Sequence, residues 1–249
     1  IRMGLQRELV RRCAQRADEV VFVSEWSRQA MSPALGISLE KSTVIHHGVD
    51  DAFRQASING EAPKSVALEG SGTKVGRRFI LVVSSVLEHK NLPRLLEAYS
   101  NLVQSIDDLD LVIAGPIGSA KLLRSLEGFL ADRGLLTKVR FLDFVPREGL
   151  VTLYRQAELL VLPSLEETFG LPLIEAMAAG LPVVASNVCA IPEVCEDAAC
   201  YFDPFDVADM TRAMERVLTI PALRKTLVQK GLERARAFSW DETTGSLLT

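Results

Sequence analysis

From residue 79 onward, short apolar runs alternate with helix-like segments, and this alternation constrains the fold more than any other feature. The apolar runs lie at 79–84, 109–114, 138–142, 159–162, 182–185 and 200–202. Helical patterns lie at 92–106, 119–133, 147–156 and 172–179, and two more follow near 206–219 and 221–237. Strands that alternate with helices are typical of an α/β fold in which helices cover both faces of a parallel sheet. The sequence therefore predicts a Rossmann-like domain that binds ligands at the carboxyl ends of its strands.

Residues 1–78 carry a weaker version of this pattern. Apolar residues four apart predict an amphipathic helix over 2–17; we favour a solvated basic face for its arginines over a contact with an anionic membrane surface. A strand at 20–23, a helix from residue 25 to about 33 with Ser24 as its N-cap, and a strand at 42–46 follow. Residues 56–77 are predicted as a linker or surface insertion, and their segment 70–76 matches no phosphate-loop spacing.

Composition limits the partners of such a chain. With 48% hydrophobic and 24% charged residues, the 249-residue sequence is typical of a soluble globular protein, and its net charge of −4 disfavours a general nucleic-acid binder. No apolar run approaches the ~18–20 residues of a membrane span. The four cysteines lack metal-site spacing, so we expect no zinc site and interpret them as reduced thiols of a cytoplasmic protein. They are Cys13, Cys189, Cys195 and Cys200.

The stretch 162–186 carries the most chemistry. It consists of a strand, an acidic loop, a short helix with Pro172 in its first turn, and a second strand after the helix stop at Gly180. Such a helix aims free N–H groups and its positive dipole end above the sheet, where phosphate usually binds. Glu167 and Glu175 can accept hydrogen bonds from sugar or ribose hydroxyls there. The alternative is that both carboxylates only balance the helix dipole.

This stretch resembles the signature of the family-4 retaining glycosyltransferases of the GT-B fold, in which Glu-X7-Glu spans a Phe-Gly-Leu-Pro segment. Glu167 and Glu175 occupy the two Glu positions, and Thr168 stands where Gly is more usual. The resemblance implies that Glu167 holds the hydroxyls of the donor sugar and Glu175 those of the ribose. It also implies that the backbone N–H groups of Phe169, Gly170 and Leu171 stabilise the departing diphosphate.

Two further loops belong to the predicted site. Lys90 precedes a helix for which Asn91 is the expected cap, and a cation at that position is unfavourable unless it shares an anion such as a diphosphate. The alternative is a solvated lysine. The segment resembles the family's Arg-X4-Lys element, with Ser85 at the place of the missing arginine. Val145 lies in a segment that resembles the one whose backbone bonds the nucleobase edge; alternatively, Phe144 and Val145 simply cover the core.

The resemblance extends over about residues 17–240. Residues 44–50 are similar to the crossing between the two lobes of these enzymes, with His46 and His47 in place of Pro and Asn, and we assign neither a catalytic role. Glu193 lies in a segment that resembles the pocket floor, and an ordinary helix cap is its other interpretation. The predicted domains are the end of an N-terminal acceptor lobe at 1–50, a linker at 51–78, a Rossmann-like donor lobe at 79–240 and a tail at 241–249.

The implied function is transfer of a sugar, with retention, from a nucleotide-diphosphate sugar to an acceptor hydroxyl of a saccharide or lipid-linked acceptor. We favour GDP-mannose over UDP-sugars because the Glu-His-Lys-Asn-Leu-Pro variant around Lys90 resembles mannosyltransferase-like members. No metal or cofactor is expected. Most of the acceptor lobe, which supplies a catalytic histidine, is expected in another part of the same chain or in a separate chain.

Three other functions compete with this one. A non-catalytic nucleotide-binding module and a nucleotide-sugar epimerase of the same fold stay open. A NAD-dependent dehydrogenase is disfavoured because no Gly-X-Gly-X2-Gly follows a strand. The expected location is the cytoplasm. A weak peripheral contact with the inner face of the membrane stays open as an alternative.

Overall fold

The structure is a computed structural model that describes residues 2–56, 66–67, 74–75 and 78–248. Its first elements are α1 (Arg2–Arg16), β1 (Val20–Phe22), α2 (Glu25–Leu35), β2 (Ser42–Val44), α3 (Asp51–Ala56), β3 (Val66–Ala67) and β4 (Lys74–Val75). Then follow β5 (Arg78–Val83), α4 (Leu92–Leu102), β6 (Leu109–Ala114), α5 (Ala120–Asp132), β7 (Val139–Leu142), α6 (Arg147–Gln156) and β8 (Leu159–Leu162). The last elements are α7 (Leu171–Ala178), β9 (Val183–Ser186), α8 (Ile191–Cys195), β10 (Ala199–Phe202), α9 (Val207–Thr219), α10 (Pro221–Ala235) and α11 (Trp240–Leu247).

Six of the strands form one parallel sheet in the order β7-β6-β5-β8-β9-β10. The chain runs outward from β5 to β7, returns through α6, and starts β8 on the other side of β5, with Ile80 beside Leu159. The α/β class with a parallel sheet, predicted from the sequence, is confirmed. In doubly wound sheets ligands bind where the strand order reverses, and here that switch point lies between β5 and β8.

The sheet is buried on both faces, which explains why its strands are mostly apolar rather than alternating. Ile80 and Val82 pack on the face covered by α4, α5 and α9, whereas Phe79 and Leu81 pack on the face covered by α6 and α7. The predicted strand bounds agree with the structure to within a residue or so. Helix α4 ends at Leu102 rather than near residue 106, because the chain turns there to enter β6.

The N-terminal elements pack beside this sheet. Strands β1 and β2 form a parallel pair, and the Ser24 hydroxyl accepts the Ser27 N–H at 3.0 Å, which confirms the predicted N-cap of α2. The predicted strand at 42–46 ends earlier, at Val44. Helix α1 contacts α2, and α11 returns to the crossing segment, where the Thr243 hydroxyl donates to the carbonyl oxygen of His46 at 2.8 Å. None of the described helices combines the length and apolarity of a membrane span.

The predicted linker begins with structure. Residues 51–56 form α3, whose Phe53 is buried and contacts the ring of Tyr154 edge-on at 5.4 Å. Most of the remaining linker, residues 57–65, 68–73 and 76–77, lies outside the described residues, as does most of the segment 70–76. The domain boundaries at 50 and 78 therefore stay predictions.

Gly48 provides a test of how the crossing segment packs on α11. A Cβ at Gly48 would lie 2.2 Å from the backbone nitrogen of Trp240 and 2.6 Å from the carbonyl carbon of Ser239. Because backbone atoms cannot move as a side-chain tip does, we expect Gly48→Ala to lower the free energy of unfolding by about 2–3 kcal/mol, as overpacking does. Urea denaturation measures this loss.

The matched control is Gly128→Ala. A Cβ at Gly128, on the exposed side of α5, has no atom within 4 Å, so alanine should stabilise that helix by about 0.5–1 kcal/mol. Equal stability of Gly48→Ala and the wild type would contradict the close packing at α11.

Candidate functional site

Two loops meet at the switch point of the sheet. One follows β5 and carries Lys90, and the other follows β8 and carries Glu167. The loops are joined by a hydrogen bond from the Leu165 N–H to the carbonyl oxygen of His89 at 2.8 Å. The carboxyl edges of β5 and β8 therefore present a single continuous surface, at the edge where the strand pattern placed the ligand.

Asn91 fixes the relative position of these loops. Its amide nitrogen donates to the carbonyl oxygens of Pro163 at 3.1 Å and of Pro204 at 2.8 Å, and the residue is buried. Asn91 occupies the predicted N-cap position of α4, where its carbonyl oxygen accepts the Leu95 N–H at 3.2 Å. Its side chain makes no cap bond, however, and its backbone is left-handed at φ 56° rather than extended. Asn91 instead ties the loops after β5, β8 and β10 together.

Lys90 and Glu167 form an ion pair at the centre of this surface. The lysine Nζ lies 2.7 Å from Glu167 Oε2, and the two side chains are 16% and 15% exposed. Lys90 is therefore not a solvated side chain, and the anion that its position requires is supplied here by Glu167. Two residues predicted separately, 77 positions apart in the sequence, are brought into direct contact.

A cavity of about 540 Å³ opens beside this ion pair. Its lining comes from both loops, from α2 and from the loop between β9 and α8: Trp26, Met31, His89, Lys90, Glu166, Glu167, Thr168 and Cys189. The volume is in the range of small-ligand sites. Sequence reasoning did not select Trp26 or Met31, because nothing in their local pattern shows that α2 reaches the carboxyl edge of the sheet.

The loop after β8 then turns into α7. Gly170 adopts φ 91° at the N-cap, and a Cβ there would lie 2.7 Å from Leu173 Cδ1. Phe169 is 2% exposed, and its ring packs between His47 at 5.1 Å and Phe238 at 5.7 Å, measured between centroids. Its side chain is thus core, and only the backbone of Phe169–Leu171 is suited to the predicted anion contact.

Glu175 lies apart from the cavity lining. Its Oε2 accepts a hydrogen bond from the hydroxyl of Tyr154 on α6 at 2.7 Å. Burial raises the pKa of Glu175, and the bond from Tyr154 partly opposes this shift. Because Glu175 occupies the second turn of α7 and has this partner, it is more than a first-turn charge that balances the dipole.

Ser85 and Val145 lie on the same edge of the sheet, after β5 and β7. Val145 is half-buried and packs against the core, so the alternative that it covers the core holds. The same alternative is wrong for Phe144, which is 81% exposed. Arg147, two residues further on, forms an ion pair with Asp50 of the crossing segment. The N-terminal elements thus contact the loop that carries Val145.

Glu193 is a helix cap, although it caps a helix distant in sequence. Its carboxylate accepts the N–H groups of Glu25 at 2.7 Å and Trp26 at 2.8 Å, at the start of α2, and contacts His46 Nε2 at 3.1 Å. Burial alone would raise the pKa of Glu193, but these donors outweigh it and lower that pKa. With the bond from Ser24 Oγ to the carbonyl oxygen of Thr168 at 2.6 Å, these contacts hold α2 against the cavity.

Within the described residues, no three His, Cys, Asp or Glu side chains converge as a metal site. Asp108-Leu109-Asp110 has the Asp-X-Asp spacing of some metal sites, but Asp110 is 2% exposed. It also lies at the beginning of β6, and therefore at the edge of the sheet opposite the cavity.

Comparison with known proteins gives the family. The family model described as "Glycosyl transferases group 1" matches residues 66–234. Among curated relatives, the chain is 30% identical over 233 residues to the serotype-specific mannosyltransferase WbdA of Escherichia coli, covering 92% of this chain and 28% of WbdA. It is 32% identical over 239 residues to the MMP alpha-(1->4)-mannosyltransferase of Mycolicibacterium hassiacum, covering 94% of this chain and 53% of that protein. The chain thus spans about half or less of these relatives.

Solved structures share the fold. A glycosyltransferase from Rickettsia africae superposes with a TM-score of 0.79 at 20% identity, covering 93% of this chain and 62% of that one. Anabaena HepE, solved with UDP and glucose, superposes with a TM-score of 0.79 at 20% identity, covering 97% of this chain and 65% of that one. These neighbours share the parallel sheet flanked by helices that the GT-B resemblance implied. On the strength of the family match over two thirds of its length, this chain belongs to the group 1 glycosyl transferases.

Proposed function

We propose that this chain forms the donor-binding part of a retaining glycosyltransferase. The enzyme would transfer a sugar from a nucleotide-diphosphate sugar to a hydroxyl of a saccharide or lipid-linked acceptor. The observation that carries the proposal is the Lys90–Glu167 pair beside a cavity at the switch point of the sheet. A cation and a carboxylate at that place suit the two halves of such a donor, because one is anionic and the other carries hydroxyl groups.

The chemistry follows from where charge develops. When the bond between the anomeric carbon and the diphosphate oxygen breaks, negative charge grows on the departing nucleoside diphosphate. Lys90 and the N-terminus of α7, with the backbone N–H groups of Phe169–Leu171, would stabilise that charge, and such preorganised contacts are usually the largest contribution to rate. Glu167 would accept hydrogen bonds from the sugar hydroxyls, and Glu175 would accept them from the ribose.

In the free protein, Lys90 and Glu167 neutralise each other. A bound diphosphate would take over Lys90 Nζ as its counter-charge and leave a Glu167 oxygen free for the sugar. The ion pair thus keeps both side chains in place between turnovers, since an unpaired charge this little exposed is costly. Ser85 would contribute its backbone and hydroxyl beside the diphosphate, and Val145 its backbone at the nucleobase.

Mannose is the favoured donor sugar. Several relatives are named mannosyltransferases, including the O-antigen chain mannosyltransferase B of Escherichia coli, which is 35% identical over 168 residues. The Glu-His-Lys-Asn-Leu-Pro sequence around Lys90 supports the same choice. The cytoplasmic location, the weak peripheral membrane contact and the participation of a further acceptor lobe, in this chain or another, belong to the same proposal.

Ligand-dependent stability tests the donor class. We expect GDP-mannose to raise the melting temperature more than UDP-glucose, UDP or ADP do, because a ligand that binds only the folded state stabilises it. At about 100 times the Kd, the gain is about 2.7 kcal/mol, which corresponds to about 5–10 °C for a chain of this size. Differential scanning fluorimetry with each nucleotide measures the shift. A larger shift with a UDP-sugar would contradict mannose as the donor, and no shift with any nucleotide at millimolar concentration would contradict the function.

A further inference from the structure

Tyr154 makes a contact that the proposed chemistry does not yet use. It lies on α6, 1% exposed, and its hydroxyl donates to Glu175 Oε2 at 2.7 Å. The ring packs edge-on against Phe53 at 5.4 Å, on the side of the core where α3 meets α6 and α7. Because the side chain is enclosed, the hydroxyl contacts the protein and cannot itself reach a ligand.

The direction of this hydrogen bond is fixed. Burial, together with the nearby Glu175, raises the pKa of Tyr154 well above its ordinary value, so the phenol keeps its proton and acts as the donor. The bond occupies one of the two carboxylate oxygens of Glu175. It favours the charged carboxylate and selects one orientation for it, although burial of Glu175 works against the charge. A charge-assisted bond in a buried place is among the stronger ones.

The packing alone does not account for the hydroxyl. A phenylalanine at position 154 would fill the same space against Phe53 and, like Phe53 itself, would carry no buried oxygen that needs a hydrogen-bond partner. What the hydroxyl adds is control of the Glu175 carboxylate. A carboxylate can accept from ribose hydroxyls only while one of its oxygens faces them, and a free glutamate side chain has several rotamers.

We propose that Tyr154 is a positioning residue that holds the Glu175 carboxylate toward the ribose hydroxyls of the donor nucleotide. The inference rests on the proposed function, because it assigns the ribose to Glu175. Tyr154 acts through Glu175 and touches no substrate. Its removal should therefore affect ribose recognition and leave recognition of the diphosphate intact.

Calorimetric titration with GDP and with 2′,3′-dideoxy-GDP separates these effects. In the wild type, GDP should bind more tightly than the dideoxy analogue. Tyr154→Phe should weaken GDP binding about 5–30-fold, somewhat less than the roughly 10–150-fold of a lost hydrogen bond to a charged group, because Tyr154 acts only through Glu175. The affinity for dideoxy-GDP should stay within about twofold. In the Glu175→Ala background, Tyr154→Phe should cost no further GDP affinity, because the residue through which it acts is gone.

Tyr99→Phe is the matched control. Tyr99 is equally buried, and its hydroxyl donates to the carbonyl oxygen of Leu109 at 2.7 Å on the other face of the sheet. The same chemical change there should lower stability without altering the ratio of GDP to dideoxy-GDP affinity. Urea denaturation of each variant establishes the folded fraction used in every titration.

The outcomes separate the inference from the function. If Tyr154→Phe lowers the affinities for GDP and dideoxy-GDP equally, or lowers neither affinity, Tyr154 serves packing alone and the inference is overturned. If the wild type binds GDP more tightly than its dideoxy analogue, the proposed ribose site stands whatever Tyr154 does. If the wild type binds neither nucleotide at millimolar concentration, the proposed function fails and takes this inference with it.

Discussion

Glu167→Ala is expected to reduce sugar transfer by the active enzyme about 100-fold or more. Glu167 is the carboxylate beside the cavity that also contacts Lys90. Its loss would remove the proposed acceptor of the sugar hydroxyls and release the lysine from its place. Interactions that strengthen as the glycosidic bond breaks affect kcat more than KM. Steady-state kinetics with the donor selected by thermal shift measures both constants.

Glu127→Ala is the control for this variant. Glu127 is an exposed glutamate on α5, away from the carboxyl edge between β5 and β8, and its replacement should leave kcat and KM within about twofold, as surface substitutions usually do. Turnover of Glu167→Ala at the wild-type rate would remove Glu167 from the site. A defect confined to protein stability, visible as a lower urea midpoint with normal kcat, would make Glu167 a partner of Lys90 and nothing more.

Lys90→Ala is expected to have an effect of similar size, about 10²–10³-fold in kcat, for a different reason. Within the predicted site, Lys90 is the cationic side chain, because Ser85 stands where the resembled element has arginine. In the proposed mechanism, charge on the departing diphosphate would then be stabilised by helix α7 and backbone N–H groups alone. The affinity for the free nucleoside diphosphate should also fall, which titration calorimetry measures.

Lys121→Ala is the matched control, since Lys121 is exposed on α5 and lies outside the cavity lining. The double variant of Lys90 and Glu167 adds a further check. The effects of substituting two residues in direct contact are not additive in free energy. The double variant should therefore lose less activity than the product of the two single losses in kcat. A Lys90→Ala enzyme with normal kcat and normal diphosphate affinity would contradict the proposed charge compensation.

The sheet was predictable because its physics is local. Strand β8 is a continuous apolar run and β6 is apolar apart from Asp110; a strand buried on both faces needs no alternation, so their bounds could be read directly from the sequence. The end of α4 could not, because residues 103–106 continue an apolar pattern while the backbone already turns toward β6. Periodicity reports which side chains are apolar and not where the chain changes direction.

The site was predictable in part. The rule that ligands bind at the carboxyl edge of a parallel sheet placed Lys90 and Glu167 on one surface, but their direct ion pair depends on β8 lying next to β5, which no local pattern encodes. The same limit applies to Asn91, whose short polar side chain indicated a cap and instead bonds two distant carbonyl groups. Proximity between residues that are distant in the sequence could be predicted only where both residues lie on loops at the same edge of the sheet.

Glu193 shows what lay beyond sequence reasoning. Its partners Glu25 and Trp26 are 168 and 167 residues away, and a carboxylate that caps a distant helix has the same local sequence as one that caps its own. The resemblance placed this segment near the pocket floor but assigned it no contact with α2. Because Glu193 holds the start of α2 at this place, Trp26 lines the cavity, and this position could not be predicted from the sequence.

The capping of α2 by Glu193 also bears on how the protein can be divided for study. A fragment that began at residue 78 would leave the Glu193 carboxylate without its two N–H donors and the Thr168 carbonyl without Ser24. It would also expose the rings of Phe169 and Phe238, which now face His46. The sheet boundary is therefore a poor place to cut, and expression boundaries that retain residues 20–50 preserve the wall that this segment builds beside the cavity.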